Sequence, residues 1–161
     1  MKRRTRIILI SIVLGVVVAA GTIGYFVWRS VNEVWLDAYS GWLAAEMVIE
    51  YMETHDKVWP KSWTDLQGTF GRASLRVRGL PLTFEEVRRR VDVDFTADPA
   101  VLAKAFPNEE HPAFRVIRLR NGHFTYWQAH EPNCTILWYL KELQAGSQTA
   151  PASAPNPPDT N

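Results

Sequence analysis

Several absences narrow what this 161-residue chain can be. Cysteine occurs once, at Cys134, so no disulfide can form within the chain. A lone cysteine is more often a small buried hydrophobic residue than a nucleophile. The sequence also has no His-x-x-x-His or Cys-x-x-Cys spacing, no glycine-rich phosphate loop and no Gly-x-Ser-x-Gly elbow. We therefore expect a non-catalytic protein with no cofactor and no metal site.

Charge is absent from residues 7–28, where the only polar side chains are Ser11, Thr22 and Tyr25. An apolar helix of ~20 residues, rising ~1.5 Å per residue, covers a hydrocarbon core of ~30 Å. The segment is therefore predicted to be a single transmembrane helix in the lipid bilayer. The alternative is a cleaved signal peptide ending near Ala20, but the apolar run continues well beyond that point.

The basic residues near this span predict its orientation. Residues 1–6 form a short cationic start that contains Lys2, Arg3, Arg4 and Arg6. After the span come one arginine, Arg29, and then Glu33 and Asp37. The positive-inside rule places the N-terminus in the cytoplasm and the domain, residues 29–144, outside the cytoplasmic membrane.

The charges of the domain are segregated along the chain. Six acidic residues and no lysine or arginine lie between residues 32 and 56, whereas six arginines and two glutamates lie between residues 72 and 90. Because neither block is dense enough to be a tail, we expect the two to face each other within one domain. The formal net charge is only +1, which argues against nucleic acid as a partner.

Apolar spacing predicts that the span continues as an amphipathic helix to about Glu53. No proline occurs before Pro60. The apolar residues that follow the span alternate four and three apart, which is typical of one helix face. They are Val31, Trp35, Ala38, Trp42, Ala45, Ile49 and Met52. We predict that Val31 and Trp35, at the membrane-proximal end of this stripe, bind a partner while the rest packs on the domain's own sheet.

The remaining elements are short. Helices are predicted at 62–66, 83–89 and 98–106, and from 131 to about Leu143, each beginning at a capping residue. Strands are predicted at 74–78 and 91–95, and at 116–120 paired with 123–127 across the turn Asn121-Gly122. The fold class is therefore α+β with a small, mainly antiparallel sheet. Residues 145–161, rich in Pro, Ala and Ser, are predicted to be disordered.

Three groups of side chains offer chemistry, and each has a simpler interpretation. Asp92, Asp94 and Asp98 resemble a cation site, but ion pairs with Arg76 and Arg78 and a helix cap are preferred. A Cys134–His130 nucleophilic pair lacks any positioning motif, and His111 and His123 add no zinc spacing. The six tryptophans of the domain favour core or subunit packing over a carbohydrate or peptide groove.

The cationic start, the apolar span, the amphipathic helix and then Tyr51, Val58-Trp59-Pro60, Trp63 and Leu66 form a pattern over residues 7–66. It resembles the type II secretion pseudopilins and type IV pilin-like proteins. The family's processing site, a glycine followed by Phe-Thr-Leu and a glutamate, is absent here. The resemblance implies a shape: a helical stem whose outer half packs on a small sheet.

These observations predict a structural or assembly component of a bacterial envelope complex. Its partners would be the lipid bilayer and another membrane-anchored subunit. The alternative is a membrane-anchored ligand-binding or sensor domain, which an enclosed apolar pocket with convergent polar groups would favour.

Overall fold

The computed structural model describes residues 3–77, 82–105, 115–122 and 131–148. These residues form a mostly helical α+β structure with one two-stranded antiparallel sheet. In chain order the elements are α1 (Arg3–Thr54), α2 (Trp63–Gln67), α3 (Phe70–Arg76), α4 (Phe84–Arg90), β1 (Val91–Val93), α5 (Pro99–Ala105), β2 (Ile117–Leu119) and α6 (Pro132–Gln148).

Helix α1 is continuous over 52 residues, which confirms the prediction of one long helix ending near Glu53. It ends because Asp56 and Lys57 adopt left-handed backbone conformations, with φ of 50° and 64°. The amide of Lys57 donates to the carbonyl of Met52 over 2.8 Å and closes the last turn. Trp59 and Pro60 follow, both buried, and lead the chain back along the domain.

The outer part of α1 runs through the middle of the domain. Between Leu43 and Met52 every residue is buried except Glu46 and Tyr51, which are half-buried. Helices α2, α3, α4 and α6 and both strands contact α1. The prediction that one stripe of this segment packs on the sheet was therefore too narrow. Met47, which is fully buried, lies about 140° around the helix from Trp42, at ~3.6 residues per turn.

Residues 74–76 were predicted to lie in a strand and instead belong to helix α3, so that prediction was wrong. Leu75, expected to face the core, is 79% exposed. A helical spacing was present as well: Phe70, Ala73 and Val77 lie on one side and pack toward the core. Burial of this apolar face outweighed the short alternation of leucine and arginine.

The predicted helix starts are confirmed by their capping bonds. Ser62 accepts from the amide of Asp65 at the start of α2, and Thr83 and Glu86 form a complete capping box on α4. Asp98 accepts from Ala100 at the start of α5. The carboxylate of Glu131 accepts from the amide of Cys134, 2.7 Å away, at the start of α6.

The sheet joins two segments that are distant in sequence. Strand β1 pairs antiparallel with β2 in the register Val91↔Leu119, Asp92↔Arg118 and Val93↔Ile117. The predicted strand 91–95 ends early because the carboxylate of Asp94 accepts from the amide of Thr96 and turns the chain.

Gly122 has a φ of +72°, and its amide donates to the carbonyl of Leu119. This bond closes a turn whose central residues are Arg120 and Asn121, and not the predicted pair Asn121-Gly122, because Asn121 does not adopt the positive φ that a type I′ turn needs at both positions. The predicted hairpin partner, 123–127, lies outside the described residues. Helix α6 ends at Gln148, so residues 145–148 are helical although they were predicted to be disordered. The remainder of that predicted segment, 149–161, lies outside the described residues.

Candidate functional site

The first part of α1 is exposed on all sides. Every side chain from Ile10 to Val31 is exposed, and the segment has a mean hydropathy of 2.3 at its most apolar. By length and composition this is a helix that can cross a membrane. Exposed apolar side chains in such a number are unfavourable in water.

The base of the domain is fixed to α1 by Arg90, the last residue of α4. Its guanidinium contacts Asp37 at 2.6 Å and Glu33 at 2.9 Å. Burial opposes the charged form of Arg90, but the hydrogen bonds that it donates to Asp37 and Glu33 raise its pKa above the ordinary value. Asn121 donates to the other oxygen of Asp37 over 2.6 Å. The buried Asp37 carboxylate is thus bound by two partners from different parts of the chain.

A second cluster fixes α3 to α1 farther from the apolar segment. Glu50, only 3% exposed, accepts from Arg72 at 2.9 Å and from Arg76 at 2.6 Å. Arg76 also contacts Glu53 at 2.8 Å, and this hydrogen bond is the main reason why the pKa of Arg76 is raised. The predicted pairing of the acidic and arginine-rich segments within one domain is therefore confirmed.

At the base of the domain, the described residues contact one side of α1 and leave the other side exposed. The predicted partner residues Val31 and Trp35 are 52% and 40% exposed, and Val34 between them is 56% exposed. Glu33, which Arg90 binds, lies about 160° around the helix from Val31. The ring of Trp35 stacks on that of Tyr39 with a centroid distance of 6.0 Å. We call the exposed side, formed by Val31, Val34 and Trp35, the open face.

Cys134 lies at the start of α6 and is buried. Burial, with the nearby Glu131 carboxylate, raises the pKa of its thiol to about 11. A catalytic or redox cysteine needs the opposite shift, because the thiolate is the reactive form. His130, the base considered with it, lies outside the described residues, as do His111 and His123.

The three aspartates have separate structural roles. Asp92 faces Arg118 across the sheet, with 3.9 Å between the charged atoms, so the predicted cross-strand ion pair exists with a partner from β2. Of the partners predicted, Arg76 belongs to helix α3 and Arg78 lies outside the described residues. Asp94 holds a turn and Asp98 caps α5. Hydrogen bonds from Thr96 lower the pKa of Asp94. Within the described residues no three His, Cys, Asp or Glu side chains are grouped to hold a metal.

The described tryptophans of the domain do not share a groove. Trp59 is buried and donates from Nε1 to the carbonyl of Asp94 over 2.9 Å. Trp63 packs edge-on against Phe84 and Phe95. Trp138 is 47% exposed on α6, and Trp127 lies outside the described residues. Their main role in this part of the chain is to bury area.

An open, polar cleft lies beside the end of α4. It has a volume of about 560 Å³ and is lined by Glu85, Glu86, Arg88, Arg89 and Arg120. No sequence pattern predicted that Arg120 joins Arg88 and Arg89 of α4, because these residues are distant in the chain. The segregation of charge was the one sequence pattern that pointed to this region.

No protein-family model, curated protein or solved structure matches the chain.

Proposed function

We propose that this protein is a single-pass, membrane-anchored, non-catalytic component of a bacterial envelope assembly. Helix α1 crosses the cytoplasmic membrane with its N-terminus in the cytoplasm, and the domain lies outside. The basic start and the uncharged, fully exposed run of α1 support this arrangement. A cleaved leader would need less apolar length than this helix provides.

The observation that favours an assembly role is the open face of α1. The domain encloses α1 from Leu43 outward, yet it leaves Val31, Val34 and Trp35 exposed just beyond the apolar run. A rigid aromatic–aliphatic face on a helix is well suited to contact a second helix. We propose that another membrane-anchored subunit packs here, beside the span.

The proposed architecture is pilin-like: a helical stem with a small domain wrapped around its outer half. Support comes from the continuity of α1 and from the way in which α2, α3, α4, α6 and the sheet contact it. The stem would then position the open face at a constant height above the bilayer, since one helix of ~1.5 Å rise per residue joins the two.

Photo-crosslinking in membranes tests the partner. A photoreactive amino acid at Val31 or Trp35 should form a defined adduct with one membrane protein, which copurifies in detergent in a fixed ratio. The same amino acid at Leu75, which is 79% exposed on α3, is the matched control and should form none. Adducts with lipid alone at Val31 and Trp35 would contradict the proposed partner.

A reporter at the C-terminus tests the anchor and its direction. The fusion should be active only outside the cytoplasm, and the intact chain should remain in membranes after alkaline carbonate extraction. A soluble product beginning near Gly21 would instead identify residues 1–20 as a cleaved signal peptide.

A further inference from the structure

Helix α4 points its C-terminal end toward the membrane-spanning part of α1. Its first residue, Phe84, packs edge-on against Phe70, and the adjacent Thr69 donates to the carbonyl of Met47. Its last residue, Arg90, binds Asp37 and Glu33. Met47 and Asp37 are ten residues apart on α1, or ~15 Å along its axis. Helix α4 therefore descends along α1 toward the apolar segment.

The end of β2 lies at the same height along α1 as the end of α4. The amide of Arg120 donates to the carbonyl of Arg90 over 2.9 Å, and Asn121 binds Asp37. The opposite end of the sheet lies near the end of α1, since Asp94 there accepts from Trp59. The membrane-proximal surface of the described domain thus consists of the last turn of α4 and the residues after β2.

This surface has an exposed basic group. Arg88, Arg89 and Arg120 are exposed and border the cleft beside α4. Of the two acids there, Glu86 closes the capping box, and hydrogen bonds from Thr83 lower its pKa. Glu85 faces Arg88 at 3.8 Å, and both side chains are largely exposed. Such a loose surface pair is worth little and leaves the arginine able to bind another anion.

This group is attached just above the headgroup layer, within reach of an arginine side chain. If residues 7–28 fill the hydrocarbon core, Glu33 and Asp37 lie ~7 Å and ~13 Å beyond it, at ~1.5 Å per residue. A bilayer of ~40–45 Å with a core of ~30 Å has headgroup layers of ~5–8 Å on each side. Arg88 and Arg120 here contact Glu85 and the carbonyl of Val91. Because Arg88 is exposed and Arg120 is only partly engaged, both reach the phosphates by extending toward the membrane.

We propose that Arg88, Arg89 and Arg120 bind the phosphates of anionic phospholipids, so that the domain rests on the bilayer on the side of α1 opposite the open face. Guanidinium groups suit phosphate oxygens, with which they form paired hydrogen bonds. The cleft they border is large enough to admit a lipid headgroup. The proposal depends on the membrane anchor proposed above, but not on the partner at the open face.

Hydrogen exchange of the full chain in lipid nanodiscs tests this binding. The amides of residues 43–52, in the buried part of α1, report opening of the whole domain. In an equimolar mixture of phosphatidylglycerol and phosphatidylcholine they should exchange at least about five-fold more slowly than in phosphatidylcholine alone, the effect of one arginine at an anionic surface. High salt should remove the difference, because screening shortens to ~3 Å at 1 M.

Two triple variants decide which charges are responsible. R88Q/R89Q/R120Q should lose the lipid-dependent slowing, and R88K/R89K/R120K should keep most of it. The control K57Q/K61Q/R115Q removes the same charge from exposed positions near the other end of the sheet and should respond as the parent does. For each variant, exchange in the anionic nanodiscs is compared with exchange of the same variant in phosphatidylcholine nanodiscs. A change in stability that is the same in both lipids therefore cancels.

Four results would overturn the proposal: no lipid dependence in the parent chain, slowing that persists in R88Q/R89Q/R120Q, equal loss in the control variant, or the same slowing from inorganic phosphate in phosphatidylcholine nanodiscs. The last result would identify a site for free anions. A chain that does not copurify with nanodiscs at all would reject the anchor, and with it this proposal.

Discussion

The two halves of helix α1 have opposite compositions and opposite surroundings. From Ile10 to Val31 the helix contains one charged residue, Arg29, and every side chain is exposed. From Asp37 to Met52 it contains three acids, and most of its side chains are buried. In a water-soluble protein the relation would be reversed, because burial favours apolar residues. The comparison indicates that the exposed half is suited to lipid, where no protein cover is needed.

The acids of the buried half are tolerated because each has a cationic or amide partner. Asp37 is bound by Arg90 and Asn121, and Glu50 by Arg72 and Arg76. An unpaired buried carboxylate would cost several kcal/mol. These pairs give the domain a fixed position on α1, whereas nothing comparable is seen from Ile10 to Ser30. Matched substitutions in the covered and the exposed parts of the chain should therefore have different effects on unfolding.

The largest difference is expected for truncation of an apolar side chain. Met47→Ala removes a fully buried side chain in the middle of the domain and should lower its free energy of unfolding by about 2–5 kcal/mol. Val17→Ala, at a position 61% exposed, should leave the unfolding of the domain unchanged. Denaturant unfolding in detergent measures both. Similar effects for the two variants would mean that the halves are not energetically distinct.

The ion pair at the base of the domain should be next in size. Arg90→Gln leaves Asp37 buried with Asn121 alone and should cost about 2–3 kcal/mol, less than the ~3–5 of a fully buried pair. Arg88→Gln breaks only an exposed contact with Glu85 and should cost less than about 0.5 kcal/mol. A small effect of Arg90→Gln in the same unfolding assay would show that other contacts hold the domain at Glu33 and Asp37.

Cys134 offers a pH-dependent comparison. Its folded pKa of about 11 exceeds the ordinary thiol value of 9.0, so its contribution to stability is complete below pH ~9 and is lost as the pH rises toward 11. The loss should amount to about 2–3 kcal/mol, at ~1.4 kcal/mol per pKa unit. Cys134→Ala should flatten stability over this range.

Thiol labelling gives an independent check on the same residue. At pH 8 Cys134 should react with iodoacetamide far more slowly than a cysteine introduced at Leu75, which is 79% exposed on α3. Equal labelling rates would contradict the burial of Cys134.

The smallest expected difference concerns glycine. Gly122→Val forces a β-branched residue to a φ near +72° and should destabilise the domain by about 1–2 kcal/mol, although no atom lies within 4 Å of the added Cβ. Gly24→Val, in the exposed half of α1, also meets no atom but has ordinary helical backbone and should have no effect on the domain. Thermal unfolding of both variants tests whether backbone conformation alone accounts for the cost.

Local sequence determined the elements whose causes lie within a few residues. The uncharged run and the lack of proline specify α1, and a polar side chain three residues before its partner amide specifies the starts of α2 and α4. Charge segregation predicted that α1 faces the arginines. It did not predict which arginine binds which acid, since Arg90 and Asp37 are 53 positions apart and Asn121 and Asp37 are 84 apart.

Tertiary structure decided what depends on distant contacts. Residues 74–76 became helical because Ala73 and Val77 could be buried against the core, and β1 found its partner in β2 through a register that no local pattern encodes. Among the described residues, those of the domain contact α1 near Glu33 on the side away from the open face. Sequence analysis predicted that Val31 and Trp35 bind a partner from their place at the membrane-proximal end of the apolar stripe. Their exposure depends on where the rest of the chain packs, because contacts with distant segments determine whether a residue is buried.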